Sequence, residues 1–293
     1  MKIKITAVTD VGKERENNED NLMFCPSVLK QDWQQNQTDG YGKIEELGAL
    51  LVVADGMGGA NAGEVASALA IESVKSTFTP DNARKALASE AQIEDLMQQA
   101  IDDASMKIDK RMCEDPDTDG MGTTIVICWV VGEKAYVAWC GDSRCYVHHP
   151  DTGLRRLTKD HSLVQELVDK GEITEDEAFN HPDNNIITRG LGDFQTQAKA
   201  DIITYDLHPN DTLLLCSDGL CGYCADPDIE KTLNSHYVDA SLCRDKLLNQ
   251  ALDVGGYDNI AIVLASVIGD DDEKPAELKP SILKSLLRRI MGS

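Results

Sequence analysis

Strand-like segments that are short, frequent and rich in Val, Ile and Leu constrain this chain more than any other feature of its sequence. Ile3–Val8, Leu47–Ala54, Thr124–Val131, Ala135–Trp139, Arg144–His148, Ile202–Leu207, Thr212–Cys216 and Ile260–Val267 are each bounded by Gly, Asp or Asn. Helical stretches fall between them. Ala62–Phe78 follows a glycine turn, Ile93–Met112 carries Leu96, Met97, Ala100, Ile101, Ala104 and Ile108 as a stripe, and Ser241–Leu252 has helical character. Runs of strands interrupted by a helix pair predict antiparallel sheets rather than βαβ units. The expected fold is α+β: two stacked antiparallel β-sheets, a β-sandwich, flanked by α-helices on both sides.

Residues 1–268 read as one domain. Within it, Gln31–Lys43 is polar and Gly-containing and reads as a long surface loop. Leu163–Asp183 is a second insert, helical and acidic, ending at His181-Pro182. The chain then changes character: 269–280 is an acidic linker, and 281–293 reads as a basic amphipathic helix. Ile282, Leu283, Leu286, Leu287, Ile290 and Met291 share one face of it, with Lys284, Arg288 and Arg289 alongside. Docking to a protein partner, packing back on the domain and contact with an anionic membrane all suit such a helix.

Composition narrows the function. A net charge of -23 over 293 residues repels nucleic-acid phosphate and anionic lipid, so direct nucleic-acid binding is not expected. No apolar run approaches the roughly 20 residues that cross a bilayer, and Met1-Lys-Ile-Lys-Ile-Thr enters a strand-like alternation with no signal region. Nine cysteines, an odd number, favour a reducing compartment. The expected location is the cytoplasm. Cys221-Gly-Tyr-Cys224 lacks the second ligand pair that zinc needs, and is read as two half-buried thiols in a tight turn.

Chemistry-bearing residues recur where apolar strands end. Leu50-Leu-Val-Val-Ala-Asp55-Gly56-Met-Gly-Gly59, Ala138-Trp-Cys-Gly-Asp142, Thr212-Leu-Leu-Leu-Cys-Ser-Asp218-Gly219 and Gly255-Gly-Tyr-Asp258-Asn259 each set an Asp at a tight turn. Ordinary turn chemistry accounts for any one of them, since Asp bonds its local backbone and Gly tolerates positive φ. Four together, with Glu19 and Asp20, would repel one another strongly unless cations neutralised them. Hard oxygen donors without a His or Cys set suit Mg²⁺ or Mn²⁺.

With these motifs in order, the sequence resembles the metal-dependent Ser/Thr protein phosphatase family, type 2C, in its bacterial form. The resemblance rests on Arg15-Glu-Asn-Asn18-Glu19-Asp20, Asp55-Gly-Met-Gly-Gly59, Gly122-Thr-Thr124, Gly141-Asp142-Ser-Arg144, Leu157-Thr-Lys-Asp160-His161-Ser162, Thr188-Arg-Gly-Leu-Gly192, Ser217-Asp218-Gly219-Leu220 and Asp258-Asn259. It spans nearly the whole domain.

The resemblance implies hydrolysis of phosphoserine and phosphothreonine in proteins, opposing a Ser/Thr kinase, by a water held between two divalent ions. Asp55 would bridge the ions, the Gly56 carbonyl would complete one, and Asp218 and Asp258 would hold the other. Glu19 and Asp20 would orient waters. Arg15 would clamp phosphate, the alternative being a surface arginine beside acids. Asp142 would share a third ion with Asp218, the alternative being a turn residue paired with Arg144. Met57 stands where eukaryotic relatives place a His, which leaves the general acid unassigned. The insert 163–183 would be a flap beside the site that shapes substrate choice, with Asp160 and His161 capping its helix. A phosphatase of a partner-switching regulator, and a binding module acting through the C-terminal helix, are the competing readings. Phosphoproteins and a cognate kinase are the expected partners, and a monomer is expected.

Overall fold

The computed structural model describes residues 1–35, 39–44, 46–58, 62–192 and 198–269. Most of the acidic linker, and the whole predicted helix 281–293, lie outside the described residues. The chain opens with β1 (Lys2–Asp10), β2 (Asp20–Cys25), β3 (Gln34–Gln35), β4 (Asp39–Lys43) and β5 (Ala49–Met57). Three helices follow: α1 (Gly63–Thr77), α2 (Pro80–Ala86) and α3 (Glu90–Glu114). Next come β6 (Gly122–Thr123), β7 (Ile125–Val131), β8 (Lys134–Cys140), β9 (Arg144–His149) and β10 (Gly153–Arg156). The insert 163–183 carries α4 (Leu163–Asp169) and α5 (Glu175–Phe179), after which β11 (Leu191–Gly192), β12 (Asp201–Asp206) and β13 (Thr212–Cys216) return to the sheets. The described chain closes with α6 (Asp218–Cys221), α7 (Asp226–His236), α8 (Ala240–Asp253) and β14 (Ile260–Ile268).

Two antiparallel sheets result. One runs β10-β9-β13-β14-β1-β4, and the other follows β11-β6-β5-β7-β8-β12 with β2 and β3 added beside β5. Ile3, Ile5, Leu51, Val53, Val126, Cys128, Leu213 and Val263 fill the space between the sheets. The alternate residues of β5 and β7, such as Leu50, Val52, Ile125 and Ile127, are buried outward against α1 and α3. Those of β14, Ile260, Ile262 and Leu264, pack with Leu233 of α7 and Leu247 of α8. Both faces of the central strands are therefore dry, which is why they read as continuous apolar runs rather than as strict alternation. The expected sandwich flanked by helices is the fold observed.

Differences from the sequence expectations have local causes. The segment expected as a surface loop, Gln31–Lys43, contains β3 and β4, and β4 pairs with β1 from Lys43 opposite Lys2 to Asp39 opposite Thr6. A Cβ on Gly40 would collide with the Phe24 ring, and one on Gly42 would crowd the Pro26 carbonyl. The glycines that signalled a loop instead let an edge strand lie close to its neighbours. Pro80 sits in the first turn of α2, with the Thr79 side chain accepting from the Asn82 N–H. Pro227 does the same in α7.

Candidate active site

The acids collect where strand ends of the two sheets meet. In the β2–β5 pairing Asp20 stands directly opposite Asp55, so their side chains share one face. The β5 end is pinned by Thr124 N–H donating to the Asp55 carbonyl at 2.8 Å and by Gly56 N–H donating to the Glu19 carbonyl at 3.2 Å. A Cβ on Gly56 would strike the carbonyl oxygens of Gly63 and Glu19, so the approach of these segments admits no side chain there.

Asp218 comes from the opposite sheet, as the first residue of α6 after β13. Ser217 joins the two halves: its Oγ donates to Asp20 Oδ2 at 2.6 Å and accepts from Ala261 N–H at 2.8 Å. Asn259 fixes the loop before β2, accepting from Glu19 N–H at 2.8 Å and donating to the carbonyls of Val11 and Asn17, each at 2.9 Å. Asn18 adds a bond to Thr9 at 2.8 Å. This bracing carries Arg15, Glu19 and Asp20 to Asp258, and Arg15 Nη2 donates to Asp258 Oδ2 at 2.8 Å. The pairing pushes the Arg15 pKa up despite partial desolvation.

The electrostatics of the cluster are those of like charges without counterions. Asp55 stands opposite Asp20 across the strand pair and is repelled by Asp20, Asp218, Asp142 and Asp258. Burial, followed by repulsion from the neighbouring aspartates, pushes the carboxyls of Asp20, Asp55 and Asp142 well above the usual range. Burial, then Asp258, takes Asp218 up to about 6. Burial and the nearby Glu64 also raise Glu19. Asp20 Oδ1, Asp142 Oδ1 and Glu64 Oε2 are buried without a hydrogen-bond partner.

Unpaired carboxylate oxygens are costly in a protein interior unless a cation or proton completes them. Among the described residues no three His, Cys, Asp or Glu side chains form a ready-made ligand set for one ion. A cation here would therefore be held by carboxylate pairs supplemented by carbonyl oxygen and water, the donors that suit Mg²⁺ or Mn²⁺. On the orphaned oxygens and the all-oxygen donor set, the residues present fit divalent ions.

All seven side chains expected at the site are brought to this strand-end cluster, together with Gly56. Sequence reasoning missed Glu64, Ser217 and Asn259 as supports; the last two adjoin Asp218 and Asp258, which was the available signal. Two expectations require correction. The cap of α4 is Ser162, whose side chain accepts from Gln165 N–H, rather than Asp160 or His161. Asp160 takes Arg144 in a bidentate pair, at 2.7 Å from Nη2 and 3.0 Å from Nε, which also removes the alternative of Arg144 pairing with Asp142. His161 exchanges bonds with Gly141: its N–H donates to the Gly141 carbonyl at 3.0 Å, and its Nδ1 accepts from the Gly141 N–H at 3.0 Å. Cys221 and Cys224 are fully buried at 1% and 2% exposure, rather than half-buried, because both pack into the core that α7 and α8 form with β14.

A groove of about 610 Å³ leads from Asp142 and Asp218 along the flap to the start of α7. Among the described residues no helix is long and apolar enough to cross a membrane.

Comparison with known proteins agrees with this geometry. The Protein phosphatase 2C family model matches residues 31–253. The chain is 34% identical over 256 residues to a serine/threonine phosphatase stp of Listeria innocua, covering 87% of this chain and 92% of that one. The crystal structure of the serine/threonine phosphatase Stp1 from Staphylococcus aureus superimposes with a TM-score of 0.76 at 35% identity, covering 90% of this chain and 95% of that one. The catalytic domain of the serine/threonine protein phosphatase PstP, in complex with two manganese ions, superimposes with a TM-score of 0.71 at 30% identity, covering 92% of this chain and all of that one. Order of motifs, sandwich topology and acid cluster converge on one conclusion: this chain belongs to the protein phosphatase 2C family.

Proposed function

We propose that the chain hydrolyses phosphoserine and phosphothreonine esters in proteins, using two divalent ions held at the strand-end acids, and so opposes a Ser/Thr kinase. The observation that carries this is Asp55 facing Asp20 across the strand pair and repelled by Asp218 and Asp142, with Asp20 Oδ1 and Asp142 Oδ1 buried and without a hydrogen-bond partner. Asp55 would serve both ions, the Gly56 carbonyl would complete one, Asp218 and Asp258 would hold the other, and Asp142 with Asp218 would hold a third. Divalent ions bound there activate water as a nucleophile and neutralise phosphate charge.

The protein's own groups do the rest. Arg15, tethered by Asp258 yet 55% exposed, presents a guanidinium to phosphate at the mouth of the site. Glu19 and Asp20 accept hydrogen bonds from water and fix its orientation. Ser217 keeps Asp20 in place through Ala261 of the facing sheet, so both halves of the site move together. Met57, at the end of β5, offers a thioether and no proton to the departing alcohol. All nine cysteines are free thiols, which suits a reducing compartment and supports a cytoplasmic location. Calorimetric titration with Mn²⁺ tests the reading. Binding of at least two ions, with phosphothreonine-peptide turnover appearing as they load, is expected; turnover at full rate in metal-free protein would exclude it.

A further inference from the structure

We propose that the groove beneath the flap selects substrates with a lysine or arginine near the phosphorylated residue, its cation received by Glu175, Asp176 and Asp226 beside the Tyr223 ring. The inference rests on the phosphatase reading above and names the substrate class that this site prefers.

Position is the first support. Asp142 and Asp218 line the same groove as α5 and the first turn of α7. A phosphoester held at the acids thus has neighbouring residues of its own chain in this space. Asp142, only 6% exposed, lines this space and has a carboxylate oxygen without a hydrogen-bond partner.

Charge is the second. The groove contains two cationic side chains, and both are already engaged. Arg144 pairs with Asp160 at 2.7 Å and approaches Asp226 at 3.5 Å. Arg156 approaches Glu175 at 3.5 Å and Asp160 at 4.0 Å. Even with Asp142 and Asp218 neutralised by bound ions, four carboxylates (Asp160, Glu175, Asp176 and Asp226) face these two arginines. The side chains of Glu175 and Asp226 remain 62% and 44% exposed, so each keeps an open face for a further cation. A glutamate of a substrate peptide would instead meet like charge, within a protein of net charge -23.

The third support is aromatic. Tyr223 lines the groove at 39% exposure, and its ring lies 5.5 Å from that of Tyr257, which is 51% exposed. Two half-exposed rings held against each other beside carboxylates present a face that favours ammonium or guanidinium.

The test compares phosphothreonine peptides that differ only in Lys, Ala or Glu at each of the three positions on either side. The full chain is used with Mn²⁺, and p-nitrophenyl phosphate, which has no flanking residue, is the reference substrate. At one position or more, kcat/KM for the Lys peptide should exceed that for the Glu peptide about tenfold, with the gap narrowing at high salt. Asp176→Lys should reverse the ranking at that position. Equal rates for all peptides, or preference for Glu, with the reference substrate turned over, would overturn the inference and leave the phosphatase reading intact. An Asp176→Lys enzyme active on the reference substrate but keeping the wild-type ranking would also overturn it. Failure to hydrolyse any substrate, the reference included, would overturn both.

Discussion

Two groups of buried charge meet at one groove, which Asp142 and Asp218 of one and Arg144, Arg156 and Asp160 of the other line, and they solve opposite problems. At the flap base, Asp160 is matched by Arg144, with bonds at 2.7 and 3.0 Å, and by Arg156 at 4.0 Å. At the strand ends, burial and then neighbouring aspartates raise the pKa values of Asp20, Asp55, Asp142 and Asp218, and two of the four have an oxygen with no partner. The first group is complete within the polypeptide and can only be structural. The second is complete only when something cationic joins it. The difference separates a scaffold from a site more clearly than the presence of charge does.

Several substitutions would break that contrast. Asp218→Asn should lower kcat/KM by about 10³-fold or more while leaving the fold intact, because on the proposed reading it removes a metal ligand and not a structural partner; peptide hydrolysis with circular dichroism checks both halves. Arg144→Ala should have the opposite signature. It strands Asp160 inside the protein and should cost about 3 kcal/mol of stability, read by denaturant unfolding, whereas Arg144→Met with Asp160→Leu should restore much of it. Arg15→Ala should raise KM for phosphopeptide about tenfold with a smaller change in kcat, as expected for lost phosphate binding. An unchanged KM would return Arg15 to the role of a surface cation held by Asp258.

The smallest effect concerns His161, whose pKa is held below 6.5 by burial. The unfolded chain takes up this proton first as the pH falls, so the folded state loses stability below about pH 6.5 and keeps it above. Melting temperature against pH should show a steeper acid decline for wild type than for His161→Asn. Identical declines would mean that His161 is free to protonate in the fold.

What the sequence disclosed follows the same division. The central strands were legible because burial on both faces leaves them almost purely Val, Ile and Leu. Asp55, Asp142, Asp218 and Asp258 were legible because each closes such a strand, or opens one, beside glycine or asparagine. β2 was not: Asp20-Asn-Leu-Met-Phe-Cys25 begins inside the polar loop of the site and has no turn signal to mark its start. Glu64 also escaped notice, since an acid in the first turn of a helix has an ordinary explanation in the helix dipole. Its burial near Glu19 arises from a contact between segments far apart in sequence. Asp160 and His161 were given a local capping role because capping is what a sequence can show. Their actual partners, Arg144 and Gly141, lie a strand away.

The central claim is that the strand-end acids work by holding metal. The most direct measurement is hydrolysis of p-nitrophenyl phosphate and a phosphothreonine peptide by wild type and Asp55→Asn, each with Mn²⁺, Mg²⁺ or EDTA. Turnover by wild type with metal, lost in EDTA and lost in Asp55→Asn, is the result expected. A folded Asp55→Asn protein that matches wild type, or a wild type indifferent to EDTA, would contradict it.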